Sequence, residues 1–281
     1  MPEATPRRLT EPDALDDFTP RQVEIDGLAK TVHVAGTGPA VIVMAEMPGI
    51  TPKVLEFALR VRDIGCTVAV PHLFGEPGKD PYANGQLGAV GYVISSIAPA
   101  CISKEFTVLA TRATSPVIDW LRALARDLHA ECGGPGVGAV GMCFTGNFAL
   151  AMMVDSPVTA PVLSQPSLPF GVSKSRRRDL AISDADLADV KVKCAKDDLT
   201  VLGLRFTGDR FVPAERFQRL RDELGDRFVA VEIDSSKGNP HGHPAAAHSV
   251  LTEHLVDEPG TPTRDALEQV LDLYRKRLLT R

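Results

Sequence analysis

Cys143 stands in the run Gly141-Met142-Cys143-Phe144-Thr145-Gly146, between an apolar stretch and a helix-like one. The two glycines are read as the G-x-C-x-G of a tight strand-to-helix turn. Such a turn forces its middle residue into strained backbone angles, and flanking glycines remove the Cβ atoms that would collide there. The nucleophile is then held above the sheet, with the next backbone N–H aimed at the same place. The helix that follows also favours a thiolate and a developing oxyanion. A cysteine merely packed at a strand end has the same composition, so the groups that could serve Cys143 must decide.

A thiol nucleophile needs a base, and the base needs an orienting group. In α/β-hydrolases the chain order is nucleophile, acid, histidine. Downstream, the stretch "LRFTGDRFVPAERF" places Asp209 directly after an apolar strand, where the acid belongs. After the final strand comes "SSKGNPHGHPAAAHSVLTEHL", which carries His241, His243, His248 and His254. Spacing alone does not choose among them. His241, His243 and His248 also form H-x-H-x4-H, a possible ligand set. The stretch is a Gly- and Pro-rich loop with no matching carboxylate motif, so no metal is expected. A class I amidotransferase would need an H-x-E, and none is expected in this chain; no G-x-S-x-G supplies a serine nucleophile.

The elements that must position these residues alternate. The apolar–polar runs around Asp26-Gly27 predict a β-hairpin. Residues 40–47 form a continuous apolar run, as in a strand buried on both faces. Residues 51–65 have helical periodicity and end on Gly65. Strand and helix then exchange about five times, through "CTVAVPHLF", "ATSPVIDWLRALARDLHAECGG", "GVGAVGM", "TGNFALAMMVDS", "APVLSQPS", "ISDADLADVKVKCAKD", "TVLGLRFTGD", "VPAERFQRLRDELG" and "FVAVEID", to a terminal helix over "TPTRDALEQVLDLYRKRLLT". The pattern predicts an α/β fold with a mostly parallel central sheet, helices on both faces and an N-terminal antiparallel hairpin. Residues 75–106 break the rhythm and read as an insertion with short helices, part of a lid. Residues 1–19, with three prolines and many charges, read as a mobile lead-in, and residues 20–281 as a single domain.

The 281 residues are 44% hydrophobic and 24% charged, with a net charge of −5. That balance, without a long basic run, argues against nucleic acid and against an acidic membrane surface. No run of about 18 apolar residues is present, and the N-terminus has no apolar signal region. Five cysteines, widely spaced and without C-x-x-C, suit a reduced cytoplasmic protein. The expected partner is a small molecule; self-association into a homo-oligomer is left open, and no cofactor is expected.

The chain resembles the dienelactone hydrolase family, a branch of the α/β-hydrolases that uses cysteine. The anchors are "MAEMPGIT", "GCTVAVPHLFGEPG", "GMCFTG", "GDRFVP" and "AHSVLT", in that order. The resemblance implies a triad of Cys143, Asp209 and His248, with His243 or His241 as alternatives if the loop is shorter, and His254 as an ordinary exposed histidine. It implies that Glu46 holds the resting thiol, and that the backbone N–H groups of Met47 and Phe144 form the oxyanion hole. The expected reaction is hydrolysis of an ester or lactone through a thioester. One departure concerns the substrate. Members that act on carboxylated lactones carry an arginine shortly after the histidine, where this chain has Leu251, Thr252 and Glu253. Arg112 is a candidate for a second such arginine. The alternative is a non-hydrolytic relative that binds a small ligand or senses oxidants through Cys143.

Overall fold

The computed structural model describes residues 15–81, 83 and 115–280. The expected insertion lies mostly outside the described residues, beyond residues 75–81 and 83, and Arg112 lies outside them too. Eight strands among these residues form one sheet in the order β1-β2-β4-β3-β5-β6-β7-β8. β1 (Thr19–Ile25) and β2 (Leu28–Ala35) make the expected hairpin, with Ile25 opposite Leu28. Asp26 and Gly27 both take positive φ, 51° and 78°, as a two-residue turn matched to strand twist requires.

β2 runs antiparallel to β4 (Thr67–Pro71), and the remaining pairs, through β3 (Ala40–Met44), β5 (Val137–Met142), β6 (Val158–Ser164), β7 (Val201–Phe206) and β8 (Phe228–Ile233), are parallel. The five central strands β3 to β7 are buried at nearly every position. That explains their unbroken apolar runs.

Helices cover both faces. α1 (Pro52–Asp63) and α7 (Pro262–Tyr274) pack on one, giving Val54, Phe57, Leu267 and Tyr274 to that core. α2 (Pro116–Cys132), α3 (Phe148–Ala151), α5 (Asp184–Lys196) and α6 (Ala214–Leu224) pack on the other, with Trp120, Phe148, Val190 and Phe217. The N-caps are legible: Thr51 accepts from the Val54 amide and Ser183 from the Asp186 amide.

Three expectations change. The helix read from "TGNFALAMMVDS" shrinks to α3, four residues, because the chain turns at once toward β6 with Asp155 at φ 48°. A short helix, α4 (Lys174–Arg178), was not anticipated; none of its residues is buried, so it carries no hydrophobic period. The packed region also begins before residue 20, since the Phe18 ring is buried in the core on the α1 side.

β3 and β5 are neighbours in the sheet, and the connections that follow them leave in opposite directions, to β4 and to β6. Such a switch point opens a crevice at the carboxyl ends of the strands. Glu46 and Cys143 follow the two strands that flank it.

Candidate active site

β5 delivers Cys143 into a tight 3-10 turn, Cys143–Thr145, with φ 53° at the cysteine. A non-glycine residue there stores about 1–3 kcal/mol of strain. The glycines are required by close approach. A Cβ on Gly141 would fall 2.0 Å from the Thr145 carbonyl oxygen, and one on Gly146 would fall 2.3 Å from Pro166 Cα. The spacing differs from a strict G-x-C-x-G, because two residues separate Cys143 from Gly146 and Thr145 takes the place of the second glycine. Its hydroxyl accepts from the Met142 amide at 2.9 Å and lies 3.0–3.2 Å from the Met44, Ala45 and Met142 carbonyls. A side chain that glycine lacks thus ties the turn to the end of β3.

Asp209 follows β7 and is 5% exposed. Its Oδ1 accepts from the Phe211 amide at 2.9 Å, and its Oδ2 lies 2.6 Å from His248 Nδ1. His248 is half-buried in the loop after β8. Burial by itself would lower its pKa. The charge on Cys143 outweighs that, together with hydrogen bonding to Asp209 and Cys143 and the charge on Asp209, and the imidazole is held well above its ordinary value. The thiol acts on the ring through its charge, while the buried Nε2 has no hydrogen-bond partner among the described residues. The protonated ring favoured by this setting is the natural counter-charge of a thiolate.

The other histidines of the loop separate cleanly. His241 is exposed. His243 is buried edge-on against Phe206, 5.1 Å between centroids, and its pKa is lowered by burial and by His241. His254 is half-buried rather than exposed, and its Nδ1 accepts from the amides of His248 and Ser249 at 3.4 and 3.3 Å. Burial lowers its pKa, with His248 and His243 adding to the effect, which keeps that nitrogen an acceptor. Of the four, His248 is the one that pairs with Asp209. Among the described residues no cluster of three or more His, Cys, Asp or Glu could hold a metal ion.

Glu46 is buried at the end of β3 but makes no described hydrogen bond to the thiol. Its Oε2 accepts from Ser249 Oγ at 2.5 Å and Gln165 Nε2 at 3.2 Å, and its Oε1 accepts from the Thr252 hydroxyl. The carboxylate thus ties the histidine loop, through Ser249 and Thr252, to Gln165 at the end of β6. Cys143 Sγ instead lies 3.4 Å from Ser167 Oγ. Ser167 was not anticipated, and neither was Arg216, a fully buried guanidinium that donates to the carbonyls of Pro166, Pro169, Arg176 and Asp179. Burial lowers its pKa to about 10. Nothing local marks either residue in the sequence; each matters through contacts far along the chain.

Met44 pairs with Gly141, and Met47 and Phe144 each follow three residues farther along the chain. Phe211 sets its edge to the His248 ring at 5.7 Å and meets Phe170 at 6.4 Å; both phenylalanines are exposed. Contrary to expectation the chain does carry an H-x-E, His129-Ala130-Glu131, but it lies at the end of α2, where Glu131 pairs with Arg21.

Residues 25–277 match the model of the dienelactone hydrolase family. No curated protein matches the sequence. Solved structures share the fold at low identity. The chain is similar to dienelactone hydrolase from Anabaena variabilis (17% identity, TM-score 0.53), covering 93% of this chain and 98% of that one. It is also similar to a dienelactone hydrolase-like promiscuous phosphotriesterase from metagenomic libraries (18%, TM-score 0.54; 93% and 99%). A thioesterase domain from the curacin biosynthetic pathway is a third (11%, TM-score 0.51; 91% and 99%).

Proposed function

From the premise that this chain belongs to the dienelactone hydrolase family, a family of hydrolases on the α/β-hydrolase fold, we propose that it cleaves an ester or lactone through Cys143, His248 and Asp209. The observation that carries this reading is the His248 imidazole, bonded to Asp209 at 2.6 Å and raised in pKa by Cys143, after burial has been overcome.

In the proposed cycle the thiol proton moves to His248, and Asp209 fixes the ring's tautomer and orientation. The thiolate attacks the carbonyl carbon, and the backbone N–H groups of Phe144 and Met47 stabilise the oxyanion. The tetrahedral adduct collapses to a thioester as the departing alkoxide takes the proton from His248. Water then gives a proton to His248, attacks the thioester, and the acid leaves as the thiolate is restored. In a lactone the alkoxide and the acid belong to one molecule, so a single hydroxy acid departs.

The surroundings favour an acyl or alcohol group without a carboxylate near the histidine. Where a carboxylate-binding arginine would follow, Thr252 is spent on Glu46, and Glu253 is a half-buried acid whose pKa is raised by burial and by Glu46. Phe211 and Phe170 offer apolar edges instead. No helix among the described residues is long and apolar enough to cross a membrane, and the four described cysteines are free; a reducing compartment, the cytoplasm, is proposed on that basis.

Hydrolysis of p-nitrophenyl acetate by the wild type and by Cys143→Ala tests the reading. Turnover is expected to vanish in the variant while its circular dichroism stays unchanged. Equal activity in the two proteins would overturn it.

A further inference from the structure

Glu46 is bonded to three other groups, so the neighbour of the nucleophilic sulfur has to be sought elsewhere. Ser167 is attached to Cys143 at two points. Its amide donates to the Cys143 carbonyl at 2.9 Å, and its hydroxyl oxygen lies 3.4 Å from the sulfur. The side chain is 1% exposed, so water does not compete for this contact.

The segment that presents Ser167 is fixed from several directions. Pro166 Cα fills the space that a Cβ on Gly146 would need. The Asn147 side-chain amide donates to the Leu168 carbonyl at 2.7 Å. Arg216 Nη1 donates to the Pro166 carbonyl at 2.6 Å, and its Nε reaches across to the Asp179 carbonyl at 2.9 Å. A buried guanidinium bonded to backbone carbonyls, with no acid as hydrogen-bond partner, acts as a rigid clamp, since its five donors are planar. The loop after β6 is thereby locked to the turn that carries the nucleophile.

On the reading of Cys143 as the nucleophile, we propose that the Ser167 hydroxyl is the catalytic hydrogen-bond partner of its sulfur, donating to the thiolate once the proton has moved to His248. The hydroxyl takes the place that the resemblance assigned to Glu46. A neutral donor has one advantage over a carboxylate there: it stabilises the negative sulfur, whereas a carboxylate would repel it. The charged and titratable groups around the pair are His248 and Asp209 from the loops after β8 and β7, His254 behind His248, Glu46 at the end of β3, and Arg216 beside Asp209.

The test is the rate at which iodoacetamide alkylates Cys143, followed across pH by mass spectrometry of the Cys143 peptide in the full-length protein. It reads the thiolate without needing turnover, so its outcome is separate from that of the esterase assay. Ser167→Ala is expected to slow alkylation about tenfold on the acid side of the profile and to move the midpoint upward, as loss of one hydrogen bond to a charged group implies. Ser167→Thr, which keeps the hydroxyl, is expected to stay within about threefold of the wild type. An unchanged profile in Ser167→Ala overturns the proposal, and so does a Ser167→Thr profile displaced as far as that of Ser167→Ala.

Discussion

Two buried carboxylates, Glu46 at the end of β3 and Asp209 after β7, grip neighbouring residues of one loop. Asp209 holds His248, whereas Glu46 holds Ser249 and Thr252. Both are about 5% exposed or less. They differ in what they hold. An imidazole can exist charged or neutral, so Asp209 acts on a proton equilibrium. Hydroxyls do not change charge, so Glu46 acts on geometry. Burial of an acid near a nucleophile therefore does not by itself identify the acid of a triad; the titratability of its partner does.

The sharpest way to break this comparison is Asp209→Asn. The amide preserves shape but supports the wrong tautomer of His248, and kcat for p-nitrophenyl acetate is expected to fall by roughly 10³ to 10⁴, on the precedent of serine triads. A fall no larger than that of a Glu46 variant would erase the distinction.

Glu46→Gln is expected to have a smaller effect on kcat, about tenfold or less, and a larger one on stability. It weakens charge-assisted bonds to Ser249 and Thr252, each worth about 1.5–3 kcal/mol, so Tm should drop by several degrees, at about 2–4 °C per kcal/mol for a chain of this size. A kcat loss as deep as that of Asp209→Asn would mean that Glu46 touches the chemistry.

The pH dependence of stability separates the two further. His248 titrates higher in the folded than in the unfolded chain. Its contribution is fully present below the unfolded value of about 6.5 and is lost as pH rises through the folded one. Wild-type Tm should therefore exceed that of Asp209→Asn most below about pH 6.5, with the gap narrowing as pH rises, when followed by thermal melts. The gap to Glu46→Gln should show no such step through the same window.

The smallest effect is expected from Thr252→Val, which removes one of the three donors to Glu46. A Tm loss of a few degrees with kcat within about threefold of wild type fits a purely positional role. Melts and kinetics on the same preparation check both halves.

Much of this frame was legible in the chain. Asp26-Gly27 marked the hairpin, continuous apolar runs marked the central strands, and Cys143 between glycines marked the turn. Each signal is local, set by φ, by burial on two faces, or by a clash within a few residues. The identity of the histidine was not legible from spacing, because four lie within 14 residues of one loop. Family resemblance favoured His248, and the fold brings its ring to Asp209. Ser167 and Arg216 were invisible for the same reason: a serine in "SQPS" or an arginine in "PAERF" gains its role only from groups 24 to 50 residues away.

The sequence by itself thus determined the alternation of elements, the strained turn and the residue types available for acyl transfer. Its periodicities and glycines act over a few bonds. Only the tertiary structure decided which imidazole meets which carboxylate, that Ser249 and Thr252 donate to Glu46, and that Ser167 lies against the sulfur. Those outcomes depend on side chains converging at the carboxyl edge of a parallel sheet, where hydrogen bonds of about 3 Å select one partner among several of the same type.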